Sequence, residues 1–515
     1  MPTNNFSYAL ADPLSVILDK SCQDFQRADF FKVIEQKQIE RITFHYTALD
    51  GKLKEMSFPF TNRLQAEKIL TEGERVDGSS LFKGMVDPAV SDLYVVPEYK
   101  TAFLNPFDER SLDFICRYLT GDGKRVSFAL DNILAKAYQL FYERTGLELY
   151  ALGELEFFLI TERKQSAYPL QSQQGYHEAQ PFMKSGEILS EMVRYLSQIT
   201  GAVKYAHSEV GSIEEIQSSL DEIRDKNAEQ LEVEFLSKPV QEMADVLVLG
   251  RWLIRNVAYK HGCIATFTPK IEEGVAGNGF HFHFELKEQG RNVMLGPGGG
   301  LSESALRLIG GLCEYADSLT AFGNTVSSSY LRLVPDQEAP TRIFWGDLNR
   351  EAMIRLPLGW NGLHDLSRIL NSQEEAGIKS SESRQTVELR TPDGSALIHL
   401  LLAGIVMAAE WAFKNNLSLE LAEKFHVKGD MRKDNNFINS FPALPGSCVE
   451  SSRILLKKRD LYEREGVFPA SVIEYIAKLL QAENDEEMSE KLDNLSKNDR
   501  LSEIRKIMHK DLHRH

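Results

Sequence analysis

Two short stretches alternate apolar and ionisable residues so strictly that they constrain the fold more than anything else in this chain: GELEFF at 153–158 and GNGFHFHFEL at 277–286. Side chains of an extended strand point to opposite faces in turn. Glu154 and Glu156 therefore share one face, and Leu155 and Phe157 the other. By the same rule His281 and His283 oppose Phe280, Phe282 and Phe284. Between about 147 and 415, other short apolar stretches (AVKYAHSEV, CIATFTPKI, TVELRTPD) read as strands, separated by amphipathic helices such as SGEILSEMVRYLSQITG. No strand–GxGxxG–helix unit occurs, so the pattern predicts an antiparallel sheet rather than a doubly wound one.

Ahead of this region, residues 39–60 alternate around Asp50-Gly51, a hairpin signal, and the stretches 92–107 and 111–120 add further strands. The expected class is α+β: a small N-terminal β-grasp-like domain, then a large catalytic domain on a curved antiparallel sheet flanked by helices. The expected boundaries are an extension at 1–29, the small domain at 30–120, the large domain at 121–485 and a charged helical tail at 486–515. The tail should form exposed helix. Leu400–Ala409 is the longest apolar run and too short to span a bilayer, so it reads as a buried helix. With 59 Lys+Arg against 75 Asp+Glu the formal charge is −16, which speaks against a nucleic-acid binder. The five cysteines are scattered, without metal or redox spacing, and the N-terminus lacks a signal-peptide pattern, so a cytoplasmic setting is expected.

Carboxylates paired on a strand whose neighbours are this apolar need a cation or another partner. Two histidines on one face behind the glycine pair Gly277 and Gly279 favour a ligand-lined cleft. Arg332, Arg342, Arg350 and Arg355 lie among apolar residues, which suits clamping of carboxylate or phosphate, and Glu388 and Arg390 share a strand face. Such a set suits phosphoryl transfer to a carboxylate, with metals on the nucleotide phosphates and arginines on the transferring group. There is no P-loop, so the metal-carboxylate sheet must bind the phosphates.

In this order, VDGSS (76–80), GELEFF, HSEV (207–210), FTPK (267–270), GNGFHFH, SYLRLVPDQEAP (329–340), NREAMIRLP (349–357) and VELRTPD (387–393) resemble the glutamine synthetase family over about 40–480. The resemblance implies ATP-dependent ligation of ammonia to glutamate with Mg²⁺ or Mn²⁺. It implies one metal site of Glu156 and Glu209 and a second of Glu154, His281 and Glu388. Glutamate would be held by the Gly277 backbone, Arg332 and Arg390, with Glu338 on a closing flap. Arg350 and Arg355 would clamp nucleotide phosphates, with His283 nearby. Asp77, Ser80, Tyr176 and Glu209 would form an ammonium pocket, Asp77 coming from a neighbouring subunit in a ring, typically a double hexamer. No nucleic acid or membrane partner is implied.

The sequence also departs from the family. Counting along EVGSIEEIQ puts Gln217, a weak ligand for a hard cation, where the third carboxylate of the first metal site belongs, unless Glu214 or Glu215 replaces it. Ala276 stands for a frequent asparagine, and Lys204 and Thr386 stand where a nucleotide-contacting glutamate and arginine are common. The alternatives to a glutamate–ammonia ligase are a γ-glutamyl ligase for a larger amine, such as a polyamine or ethanolamine, and a catalytically silent ring protein.

Overall fold

The structure is a computed structural model that describes residues 8–86, 91–163, 166–334, 339–359, 366–374, 383–428 and 435–514. The Asp50-Gly51 signal closes a hairpin of β1 (Arg41–Thr47) and β2 (Leu53–Pro59), with Gly51 in the left-handed region at φ 78°. These strands join β3 (Glu74–Asp77), β4 (Asp92–Pro97), β5 (Phe103–Leu104) and β6 (Ser111–Leu119) in a six-stranded sheet of order β2-β1-β6-β4-β3, with β5 on β6. Only β1 and β6 run parallel among these pairs. Arg117 on β6 pins this small sheet to the rest of the chain. Its guanidinium bonds Asp245 Oδ1 at 3.0 Å, on helix Val240–Lys260, and Glu98 Oε2 at 2.8 Å.

The large sheet holds β7 (Glu148–Thr161), β8 (Val203–Ile213), β9 (Asn227–Phe235), β10 (Lys238–Pro239), β11 (Ile264–Thr266), β12 (Phe282–Glu288), β13 (Arg291–Asn292), β14 (Trp345–Asp347), β15 (Ile354–Leu356), β16 (Val387–Leu389) and β17 (His426–Val427). Its main path runs β17-β14-β15-β16-β12-β7-β9-β8. The strands that carry the acidic and histidine residues pair antiparallel, as expected, whereas β14 pairs parallel with both β15 and β17. β9 was not anticipated from sequence, and it lies between β7 and β8.

Alternation sorts the two sheet faces. Leu155, Phe157, Phe280, Phe282 and Phe284 are buried in the apolar core, alongside helices Val240–Lys260 and Ile398–Lys414. The second of these contains the expected buried run and packs on helices Leu130–Thr145 and Glu303–Gly323. Gly146 ends the first of that pair in the left-handed conformation at φ 68°.

The tail departs from expectation. Helix Lys497–His509 is present, but Ile504, Met508, His509 and Leu512 are buried. Arg505 and Arg500, which made the segment look solvent-facing, pair with Glu272 and Glu273 of the loop after β11. Paired charges let this face pack where unpaired ones would have kept it in water. Among the described residues, no helix is long and apolar enough to cross a membrane.

Candidate active site

Register builds the acidic face. Antiparallel pairing sets Glu154 opposite Glu234 and Glu156 opposite Glu232, and sets His207 of β8 opposite Glu232. On the other side of β7, β12 brings in His283, the residue just before that strand is His281, and β16 brings Glu388 opposite His283. The result is two groups of possible metal ligands, Glu154–His281–Glu388 and His207–Glu209–Glu232, each with donor atoms within 4.8 Å of one another.

In the first group, Glu154 accepts from His281 Nδ1 at 3.0 Å and from His283 Nε2 at 2.9 Å. Burial opposes ionisation of Glu154, but these two imidazole bonds outweigh it and hold the carboxyl well below its ordinary value. Burial likewise works against protonated His283, and the bond to Glu154 raises its pKa nonetheless. Its Nδ1 lies 3.0 Å from the Thr386 hydroxyl. Glu388 accepts from Arg390 Nη1 at 2.5 Å and from Arg355 Nη1 at 2.7 Å. Burial disfavours its charge, and His283 and Arg390 more than compensate, lowering its pKa.

In the second group like charges crowd. Burial, then the neighbouring Glu154, Glu156 and Glu209, push Glu232 well above the carboxylate range, and His207 Nε2 lies 3.1 Å from its Oε2. Burial raises Glu156 too, with Glu209 adding to the effect. Glu156 sits between the groups, its Oε1 3.8 Å from His281 Nδ1. Gly279 N–H and Gln230 Nε2 donate to its Oε2 at 2.7 and 3.1 Å. Crowded carboxylate oxygens of this kind fit hard divalent cations. Glu234 pairs instead with Lys204 at 2.5 Å, and burial raises its pKa.

A glycine loop crosses the edge of this face. A Cβ on Gly277 would meet the Pro269 carbonyl at 2.4 Å, and one on Gly279 would meet His281 Nε2 at 2.6 Å and Arg332 Nη2 at 2.9 Å. Both positions therefore need glycine for close approach. Asn278 folds the loop by donating to the Thr268 carbonyl at 2.9 Å. Arg332, 5% exposed, donates to the Thr391 carbonyl at 3.1 Å and lies 3.5 Å from His281 Nε2.

The other expected residues lie apart from this cluster or at its rim. Tyr176 is half exposed, stacked on His177 and edge-on to His207 at 5.6 Å between ring centroids. Asp77 and Ser80 are exposed on the small domain, where Ser80 Oγ donates to Asp77 Oδ2 at 2.6 Å. Hydrogen bonds from Ser80 and Ser79 hold Asp77 far below its ordinary value. Arg350 is exposed on the turn between β14 and β15, and Arg342 ties to the Phe441 carbonyl at 3.2 Å instead of the cluster. Glu338 lies outside the described residues.

The placement of Gln217 is corrected. It is exposed on the loop joining β8 to β9, where it donates to Glu215 Oε1 at 2.8 Å. Glu214 and Glu215 face outward too, paired with Arg163. Among the described residues the carboxylate grouped with Glu209 is Glu232, which strand register sets opposite Glu156 and His207 beyond the 214–226 loop. Gln230 and Glu232 were both missed from sequence. Their signal was the alternation of Gln230, Glu232 and Glu234 with Leu231, Val233 and Phe235.

Comparisons with known proteins give the family of the chain. The family model described as the glutamine synthetase catalytic domain matches residues 132–496, and that of the β-grasp domain matches 38–121. A curated relative, glutamine synthetase of Pyrococcus horikoshii, is 29% identical over 419 residues, covering 80% of this chain and 84% of that protein. Among solved structures, a cryo-electron microscopy structure of Plasmodium falciparum glutamine synthetase superposes with a TM-score of 0.70 at 20% identity, covering 92% of this chain and 98% of that one. Ligand-free GmaS gives 0.67 at 21% identity, covering 91% and 97%.

Proposed function

Because the chain belongs to the glutamine synthetase family and is a ligase of that type, we propose that it joins ammonia to the γ-carboxylate of glutamate at the expense of ATP. The observation that carries this reading is the pair of carboxylate–histidine groups on one sheet face, bordered by Arg332 and the Gly277–Gly279 loop. Two Mg²⁺ or Mn²⁺ ions, one held by Glu154, His281 and Glu388 and the other by Glu156, Glu209 and Glu232, would when bound neutralise phosphate charge.

Arg332, Arg390 and the Gly277 backbone orient glutamate. A γ-carboxylate oxygen attacks the terminal phosphorus of ATP, the bond to the bridging oxygen breaks, and ADP leaves. Arg350 and Arg355 face the phosphates, with His283 beside them, and the role the family resemblance implies for Glu338 is to help keep water from the acyl phosphate. Ammonia, gathered by Asp77 of a neighbouring subunit together with Ser80, Tyr176 and Glu209, then attacks the acyl carbon. The C–O bond to phosphate breaks, phosphate and glutamine form, and the surplus proton passes to a pocket carboxylate. Sites shared in this way require a neighbouring subunit, for which the double-hexamer rings of the family are the expected arrangement. The five cysteines form no disulfide among the described residues, which suits a reducing cytoplasm.

Glu232 also weighs against the silent-homologue reading, because a carboxylate and not the neutral Gln217 stands beside Glu209. A second ligase reading, with a larger amine as acceptor, is favoured by a cavity of about 430 Å³ lined in part by His177, Glu178, Glu187 and His207, beside the second group. Incubating the protein with ATP, Mg²⁺ and glutamate plus ammonia, ethanolamine or putrescine separates the two. The first reading expects glutamine and stoichiometric phosphate with ammonia. A product mass only with an organic amine overturns it in favour of the second.

A further inference from the structure

The tail touches both elements that the proposed function assigns to glutamate. On one side, His509 links the 214–226 loop to the glycine-loop segment: its Nδ1 lies 2.9 Å from Ser218 Oγ and its Nε2 2.8 Å from the Ile271 carbonyl. The Leu512 side chain, 2% exposed, completes a small apolar cluster with Ile216, Ile223, Ile271 and Val275, separate from the main core. Thr266 and Thr268, whose carbonyls fix Asn278, donate their hydroxyls to the Leu512 and Met508 carbonyls at 2.8 and 3.2 Å.

On the other side, Lys510 Nζ donates to Ser327 Oγ at 3.2 Å and to Glu483 Oε2 at 2.6 Å. Glu483 in turn accepts from the Ser327 amide at 3.1 Å and from Arg514 at 2.7 Å. Ser327 lies two residues before the short helix Ser329–Arg332, which presents Arg332. One terminal segment is thus bonded to the stretch bearing Gly277 and to the stretch bearing Arg332.

We propose that residues 497–514 form a positioning strut that fixes the spacing between the Gly277 loop and Arg332, and so sets affinity for the amino-acid carboxylate substrate. None of these tail residues belongs to the set proposed to hold glutamate, so they act through the two elements they hold. The inference rests on glutamate being that substrate. It accounts for the concentration of buried polar bonds at the end of a helix whose sequence is otherwise charge-dense: each satisfied group fixes a backbone position that water would leave mobile.

The test uses full-length His509→Leu, His509→Gln and Lys510→Met. Gln can still donate to the Ile271 carbonyl, and Leu cannot. The expected result is a rise of about five- to tenfold in the KM for glutamate for His509→Leu and Lys510→Met. The KM for ATP should stay near wild type, His509→Gln should recover most of the loss, and amide exchange should quicken across 266–279 and 325–334. An unchanged glutamate KM with unchanged exchange overturns the strut. So does a uniform loss of kcat and both KM values that tracks melting temperature. If the wild type shows no glutamate-dependent phosphate release, the functional reading fails on its own, and exchange in the two segments still decides whether the tail fixes them.

Discussion

Glu232 and Gln217 divide the site at the level of single side chains. Glu232 lies opposite Glu156 in a crowded set of carboxylates, whereas Gln217 faces outward beside Glu215. In a Mg²⁺ titration of activity, Glu232→Gln should therefore raise the half-saturating concentration by about 10- to 100-fold. Gln217→Glu should leave the curve where it is; a tighter curve for that variant would return the ligand role to the loop. Gly279 gives a second test. A methyl group there would press on His281 and Arg332, so Gly279→Ala should cost about a hundredfold in kcat/KM with little change in fold by circular dichroism. Much of this scale was legible from sequence. Glu154, Glu156, His281 and His283 sit on the faces that alternation assigns them, since a period of two leaves a strand no other choice. The arginines were less legible: embedding in apolar sequence does not distinguish Arg332, beside His281, from Arg342, which holds the loop at 439–441.

Among the elements, β9 was the costly omission. Its polar face carries Gln230, Glu232 and Glu234, and a run so acidic reads as a solvated loop when its apolar partners Leu231, Val233 and Phe235 are not counted separately. Its neighbours supply what the sequence could not: β7 on one side and β8 on the other turn an apparent surface strand into the floor of the site. The C-terminal helix was misjudged for the same reason, since its charges have partners distant in sequence. His509 offers a pH test of that packing. Burial lowers its pKa, so the unfolded chain takes up the proton more readily than the folded one. The stabilisation is present above the unfolded value of about 6.5 and is lost as pH falls below it toward the folded value. Thermal melts between about pH 7.5 and 5.5 should show a larger drop for wild type than for His509→Gln; equal drops would place the proton elsewhere.

For the whole molecule, the questions are how the small sheet stays docked and whether sites are shared. Arg117 is surrounded by Asp245, Glu98 and Asp131, at 3.7 Å or less, and removing it strands buried carboxylates. Arg117→Ala should lower unfolding stability by about 3 kcal/mol in urea melts, and a change below about 0.5 kcal/mol would show the pair to be well solvated. If Asp77 serves the neighbouring subunit, Asp77→Ala and Glu232→Gln should each be inactive alone. Rings reassembled from an equal mixture should regain about one intact site in four; no recovery would confine each site to one chain. Neither arrangement could be read from composition or periodicity, which describe one chain and its local faces.

The excursion at 214–226 has a wider implication. A hairpin whose rungs are locked by pairing can grow at its tip while every donor atom stays in place, so spacing counted along the chain is a poor guide to equivalence across that turn. Here the tip is also anchored, through Ser218 to His509. Lengthening it further would strain that anchorage long before it disturbed the carboxylate–histidine cluster, and on the proposed function affinity for glutamate should fail before affinity for divalent ions does.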